Sequence, residues 1–300
     1  MVVVKVCGKE YHMNDKIKSK WDNLKDGKLV DYDEDRFYVV DGREGVGKSL
    51  YTLQQAAYID PTILDDVGRK VLPRICFSPE EFLDAIRHTK STKGHTKVVI
   101  FDEAFRGMSS KSAISGINKK VVQGLMEMRQ NNLIVFLVSP SFYLLELYPA
   151  MMRSNALFHV VKDKKSRRRH VRVFGFKSKA ILYQIGLKKG WGYPRRTKKR
   201  ANFFNKYPGG DEFEARYRKK KRDSLRKHYD KEDSVHRWKE QRNIAIKILR
   251  ESGETYKSIS EKMKELGNRI GVTQIGDICN GFKNEPKKET NKSPEETKNS

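Results

Sequence analysis

Between an apolar run, Phe37-Tyr38-Val39-Val40, and a helical stretch over residues 50–59, the chain reads Asp41-Gly42-Arg43-Glu44-Gly45-Val46-Gly47-Lys48-Ser49. Gly42-x4-Gly47-Lys48-Ser49 fills every fixed position of a phosphate loop, and strand, glycine turn and helix are the order such a loop requires. Few folds admit this sequence. A buried strand must deliver a tight turn whose N–H groups run on into a helix N-terminus, where unpaired donors and the positive end of the helix dipole favour phosphate oxygens. On this pattern Gly42, Arg43, Glu44, Gly45, Val46, Gly47, Lys48 and Ser49 cradle a nucleotide. Lys48 brings a point charge to its β- and γ-phosphates, and the Ser49 hydroxyl ligates Mg²⁺.

A second apolar run, Val98-Val99-Ile100-Phe101, leads straight into Asp102-Glu103. Both carboxylates then sit at the carboxyl end of a strand, where open α/β sheets bind ligands. Two acids also end many buried strands for no chemical purpose, so the loop upstream is what gives this pair a task. Asp102 is placed to hold Mg²⁺ through water, and Glu103 to act as general base for the attacking water. No guanine-reading Asn-Lys-x-Asp string occurs, which leaves ATP as the expected nucleotide.

Further elements follow in alternation. Ser78-Pro79 caps a helix with Phe82, Leu83 and Ile86 on its apolar stripe, and Val121, Leu125 and Met128 mark another helix face. Residues 133–138 read as a third strand ending at Ser139-Pro140, with later strands expected at 157–161, 171–176 and 180–185. The expected class is α/β with a mainly parallel sheet. Ser139 stands where a polar group senses the γ-phosphate, although Ser-Pro is equally an ordinary strand exit. Arg129 and Arg153 are candidates to reach a neighbouring subunit's phosphate, or are simply solvated.

Charge divides the chain differently. Residues 1–160 carry 23 basic and 20 acidic side chains, residues 161–240 carry 28 and 9, and residues 241–300 carry 12 and 9. Most of the net +25 therefore sits in eighty positions, and a block so lopsided invites a polyanion. Arg167-Arg168-Arg169, placed between two strands, reads as a hairpin tip. Arg195, Arg196, Lys198, Lys199 and Arg200 form a second cluster, and Arg218-Lys219-Lys220-Lys221-Arg222 a third. Trp191, Tyr193, Phe203, Phe204 and Tyr207 are interleaved with them, which suits phosphate contacts flanked by rings that stack on bases. An anionic membrane surface is the weaker alternative, for want of an amphipathic anchor. Residues 240–281 make a three-helix pattern lined by Ile244, Ile248 and Leu249, then Ile259, Met263 and Leu266, then Val272, Ile275 and Ile278. The outline is that of a helix-turn-helix, with Thr273, Gln274, Asp277 and Asn280 on or beside the recognition helix, or else of a small bundle for subunit contacts. Cys7, Cys76 and Cys279 lack metal or disulfide-framework spacing, and no apolar run is long enough to span a bilayer. A reduced, cytoplasmic protein is expected.

The order Asp-Gly-x-x-Gly-x-Gly-Lys-Ser, then Val98 to Ala104, then Glu127-Met128-Arg129-Gln130, then the strand ending at Ser139-Pro140, resembles the zonula-occludens-toxin-like branch of the DNA-translocating and DNA-packaging P-loop ATPases. The resemblance covers roughly residues 36–162. It implies that Lys48 and Ser49 bind phosphate and Mg²⁺, that Asp102 and Glu103 form the acidic pair, and that Ser139 takes the polar sensor position. It also implies an oligomer, with a ring as one arrangement for this chain, acting on double-stranded DNA for a virus or mobile element, in the host cytoplasm if a virus encodes it. The coupling position lacks the residue that large terminases have between Ser and Pro, and residues 163–300 hold no acidic nuclease cluster, so a full terminase is not expected. The domain plan is an N-terminal extension (1–35), a P-loop ATPase domain (36–190), a basic aromatic-containing linker or nucleic-acid-binding segment (191–239), a helix-turn-helix-like domain (240–281) and a disordered tail (282–300). The expected activity is that of a DNA-stimulated ATP-hydrolysing motor. Alternatives are a DNA-binding regulator or partition-type protein using ATP as an assembly switch, and a replication helicase or loader.

Overall fold

The computed structural model describes residues 2–6, 8–102, 111–163, 166–188, 192–193, 200–203, 206–267 and 269–280; the expected tail at 282–300 lies outside them. Two compact units emerge, Met1–Ser224 and Leu225–Ser300.

The first unit opens with an antiparallel hairpin, β1 (Val2–Val6) and β2 (Lys9–Met13), followed by α1 (Asp15–Asp22) and α2 (Lys28–Asp31). Then come β3 (Arg36–Asp41), α3 (Lys48–Ile59), β4 (Ile75–Cys76), α4 (Pro79–His88), β5 (Val98–Phe101) and α5 (Lys111–Glu127). After these follow β6 (Ile134–Ser139), β7 (Ala156–Lys162), β8 (Arg169–Phe174), α6 (Phe176–Lys188) and β9 (Arg200–Asn202). Seven strands form one sheet in the order β4-β5-β6-β3-β7-β8-β9. The pairings from β4 through β7 are parallel, and β8 runs antiparallel to both β7 and β9. This is a mixed α/β fold with a mainly parallel central sheet.

Strand alternation builds two cores, because successive side chains point to opposite faces. Tyr38 and Val40 join Trp21, Leu53, Phe136 and Phe158 on one face, while Phe37 and Val39 join Phe82, Phe101, Val121 and Leu125 on the other. Segment 1–35, expected as an extension, belongs to the first of these cores. Trp21 is buried edge-on against Tyr38 at 5.1 Å and donates from Nε1 to Gln55 Oε1 at 2.8 Å. Ser78 caps α4 by accepting from the Glu81 N–H, and Glu81 accepts in return from Phe77 N–H.

Residues 180–185, expected as a strand, lie instead in α6. The buried positions there are Lys179, Leu182 and Gly186, a spacing that belongs to a helix face and hides behind the β-like run Ala-Ile-Leu-Tyr. Lys179 donates to the carbonyl and hydroxyl oxygens of Ser154, and burial pulls its ammonium down to about 8. Between pH 8 and pH 10 the unfolded lysine keeps a proton that the folded one has lost. Stability is therefore expected to rise with pH across that window. Urea midpoints at about pH 7.5 and about pH 9.5 measure the rise, which Lys179→Met should abolish.

Helix α7 (Gly210–Glu251) belongs to the first unit as far as Ser224 and to the second beyond it. Segment 191–239, expected as a basic linker, thus contributes both β9 and the opening turns of α7 to the sheet unit. Phe213 and Tyr217 pack into its core. The second unit continues with α8 (Tyr256–Glu265) and α9 (Val272–Asn280) around Ile246, Ile259, Met263, Ile270 and Ile275. Ile244, Ile248 and Leu266, expected to line its helices, are exposed. Ile246 takes the inward position, and Leu266 falls at the C-cap of α8. Among the described residues no helix is long and apolar enough to cross a membrane.

Candidate nucleotide site

Strand β3 ends at Asp41, and the loop rises from it to α3, which begins at Lys48. Gly42, Gly45 and Gly47 hold φ of 145°, 72° and 98°, backbone that L side chains rarely adopt. Lys48 Nζ donates to the carbonyls of Gly42 at 2.8 Å and Arg43 at 3.1 Å, closing the loop on itself.

Because β6 lies between β3 and β5, the carboxyl ends of three parallel strands meet around this loop. Asp102, the residue after β5, is buried, and its Oδ1 accepts from the Ser49 hydroxyl at 3.1 Å. Two hard oxygen donors this close suit Mg²⁺, which takes few protein ligands and completes its shell with water and phosphate. Ser139 stands opposite Asp41 at the end of β6, between the loop and Asp102. Its hydroxyl donates to the Ser141 carbonyl at 2.8 Å.

The root of the loop is locked. Asp41, fully buried, accepts from the Phe142 N–H at 2.9 Å and from the Tyr193 hydroxyl, and lies 2.9 Å from His159 Nδ1 on β7. Tyr193 stacks on His159 with ring centres 4.0 Å apart. Burial, then the Asp41 charge, pushes the Tyr193 phenol far above its ordinary range.

A cavity of about 690 Å³ opens over the loop, Ser49, Asp102 and Ser139. Further walls come from residues that carry no nucleotide-binding pattern in the sequence: Arg169 on β8, Tyr207, and Glu214, Tyr217, Arg218 and Lys221 on α7. The Tyr217 hydroxyl donates to Asp102 Oδ2 at 2.5 Å. Burial and that neighbouring charge hold its pKa well above the ordinary phenol value.

The arginine clusters divide accordingly. Arg167 and Arg168 are exposed at the turn between β7 and β8, closed by the Asp163 N–H to Arg168 carbonyl bond, whereas Arg169 enters the cavity beside Gly47. Arg195, Arg196, Lys198 and Lys199 lie outside the described residues, as do Trp191 and Phe204, and Arg200 opens β9 opposite Arg172. The third cluster is partly spent on the fold, a correction to its expected role. Arg218 pairs with Glu214, Lys220 donates to the carbonyls of Leu72 and Ile75, and Lys221 faces Asp102.

Glu103 lies outside the described residues. Arg129 is exposed in the turn that feeds the start of β6, at the amino end of the parallel strands and so opposite the loop, and lines no part of this cavity. Arg153 is corrected to a structural role, because its guanidinium forks onto Asp35 and also reaches the Leu125 carbonyl at 3.2 Å. In the second unit Thr273, Gln274, Asp277 and Asn280 are all exposed on α9.

Among solved structures, the chain is similar to the N-terminal domain of zonular occludens toxin from Neisseria meningitidis, at 16% identity over 48% of this chain and 85% of that one, with a TM-score of 0.26. It is similar to the genome packaging NTPase B204 from Sulfolobus turreted icosahedral virus 2, solved with AMPPCP, at 16% identity over 48% and 94%, TM-score 0.31. A KaiC-like protein from Pyrococcus horikoshii matches at 11% identity over 59% and 88%, TM-score 0.34. No family model and no curated protein matches the chain. Similarity this low leaves the chemistry of the site to its own geometry.

Proposed function

We propose that the chain hydrolyses ATP with Mg²⁺ and couples turnover to nucleic acid, as an oligomeric DNA-translocating, packaging or remodelling motor of a virus or mobile element. The observation that carries the reading is the meeting of Ser49 and Asp102, 3.1 Å apart, beside the glycine loop and at the ends of parallel strands. Loop N–H groups and Lys48 bind the triphosphate, with Arg169 facing it across the cavity. Ser49 and Asp102 hold Mg²⁺, which neutralises charge developing on the phosphate oxygens. Glu103 takes a proton from the attacking water. Ser139, on the strand between loop and carboxylate, senses the γ-phosphate and passes its loss to the Ser141 turn.

Arg167 and Arg168 support the nucleic-acid half of the reading. They project from a hairpin whose next residue, Arg169, lines the nucleotide cavity, so one short turn joins the two sites. Thr273, Gln274 and Asn280 on α9 are the base-reading candidates. The deciding experiment is the ATP hydrolysis rate without DNA, with single strands and with duplex, at low and high salt. DNA stimulation with displacement of a bound roadblock supports the motor, whereas ATP-dependent clustering without displacement supports an assembly switch. Arg167→Gln with Arg168→Gln is expected to flatten the slope of log affinity against log salt by about 1.8 on duplex DNA, at about 0.9 per phosphate contact. An unchanged slope removes the hairpin tip from the interface.

A further inference from the structure

The two oxygens of Asp102 serve different partners. Oδ1 receives the Ser49 hydroxyl at 3.1 Å, while Oδ2 accepts from Tyr217 at 2.5 Å and lies 3.8 Å from Lys221 Nζ. Both of the latter come from α7, Tyr217 standing 115 residues further along the chain. Tyr217 cannot drift, since its buried ring lies against Phe77 at 5.7 Å, Tyr207 at 6.0 Å and Phe213 at 6.3 Å. A carboxylate pinned through one oxygen loses its rotation, so the other stays turned toward Ser49. Partners of this kind set the orientation and affinity of a metal ligand without touching the metal.

Lys221 acts in the other direction. Its ammonium, carried by a side chain that is 22% exposed on the cavity wall and lying 5.8 Å from the centre of the Tyr217 ring, is a positive charge beside the carboxylate that a divalent cation needs. Two cations at one carboxylate repel, and because Asp102 itself is buried the repulsion is screened less than it would be on an open surface.

We propose, building on the Mg²⁺–nucleotide reading above, that the opening turns of α7 set the metal affinity of this site. Tyr217 is a positioning residue that holds Asp102 ready for the ion, and Lys221 is a resident counter-charge that opposes it. Loading of the site with metal and nucleotide thereby acts on the basic helix that carries both residues.

The test uses the full chain and a fluorescent ATP analogue, saturating for each variant, with Mg²⁺ titrated from an EDTA baseline. Tyr217→Phe keeps the ring and removes only the hydroxyl. It is expected to raise the Mg²⁺ midpoint about tenfold or more. Affinity for the analogue in EDTA is expected to hold, which a general collapse of the site would not allow. Lys221→Met is expected to lower the midpoint, and it keeps the inference open to refutation should Tyr217→Phe fail to fold. Midpoints equal to wild type in both variants, or a raised midpoint in Lys221→Met, overturn the inference and leave the nucleotide reading standing. A wild-type chain that binds no analogue at any Mg²⁺ concentration overturns both.

Discussion

Lys48→Ala is expected to lower ATP turnover about a hundredfold or more while the chain folds as before. The two consequences have separate physical causes. In the structure the ammonium donates to two carbonyls of the loop itself, Gly42 and Arg43. Hydrogen bonds of this kind contribute about 1 kcal/mol each, and carbonyls facing an open cavity can turn to water when the lysine is gone. With a triphosphate in place the same ammonium faces anionic oxygens, where charge-assisted bonds are roughly twice as strong and act on charge that grows during transfer. Methionine at this position separates charge from bulk, and it should fail as alanine does. Phosphate release by the purified variants, with thermal unfolding as the fold control, measures the effect. Unchanged turnover in Lys48→Ala removes this loop as the catalytic site.

Much of this site was legible because its parts are local or periodic. The loop announces itself by residue types at fixed positions, and Val98-Val99-Ile100-Phe101 announces a strand that delivers Asp102. What the sequence hides is the order of strands in space. Nothing in the spacing shows that β6 slips between β3 and β5, and that placement is what brings Ser139 between loop and carboxylate. The closing wall was hidden more thoroughly. Tyr207, Tyr217 and Lys221 sit in a stretch so basic that its charge masks the apolar pattern, and a phenol meeting a carboxylate 115 residues away leaves no local trace. A weaker signal was present. Phe213 and Tyr217 are four apart, just after Asp211-Glu212 in a helix's first turn, which is the mark of a packed helix face rather than of a solvated linker.

Charge also misled at single residues. Arg169 belongs by sequence to a triplet, yet as the first residue of β8 it turns into the cavity over the glycine loop while Arg167, at φ 57°, and Arg168 remain in the turn. Arg153 looked available, yet a buried Asp35 requires its guanidinium. An unpaired buried carboxylate is costly enough to recruit the nearest cation. In a chain with an excess of 25 positive charges, the position of the buried acids decides which cations remain for a polyanion.

Gly42→Ala is expected to cost about a hundredfold in ATP turnover, and Gly45→Ala about tenfold at most. Gly42 fills a fixed position of the loop pattern and Gly45 a free one, and both have positive φ. They differ in what a methyl group would meet. At Gly45 a Cβ points into open space, so alanine bears only the left-handed backbone strain of roughly 1–2 kcal/mol. At Gly42 a Cβ would lie 2.4 Å from the carbonyl oxygen of Val160 and 3.2 Å from a Val46 methyl. The Val160 carbonyl has little room to retreat, because β7 is paired with β3 up to the preceding residue, His159, and Val160 itself pairs with Val171 of β8. The loop must move instead, and it hinges beside Asp41, whose carboxylate is fixed by Phe142, Tyr193 and His159. Displacement of the phosphate-binding N–H groups by about 1 Å is enough for the larger loss. ATP turnover and affinity for a fluorescent nucleotide, measured side by side in the two variants, decide the matter. Equal impairment would mean that the neighbouring strand does not shape the loop, and that the first glycine is required for its φ alone.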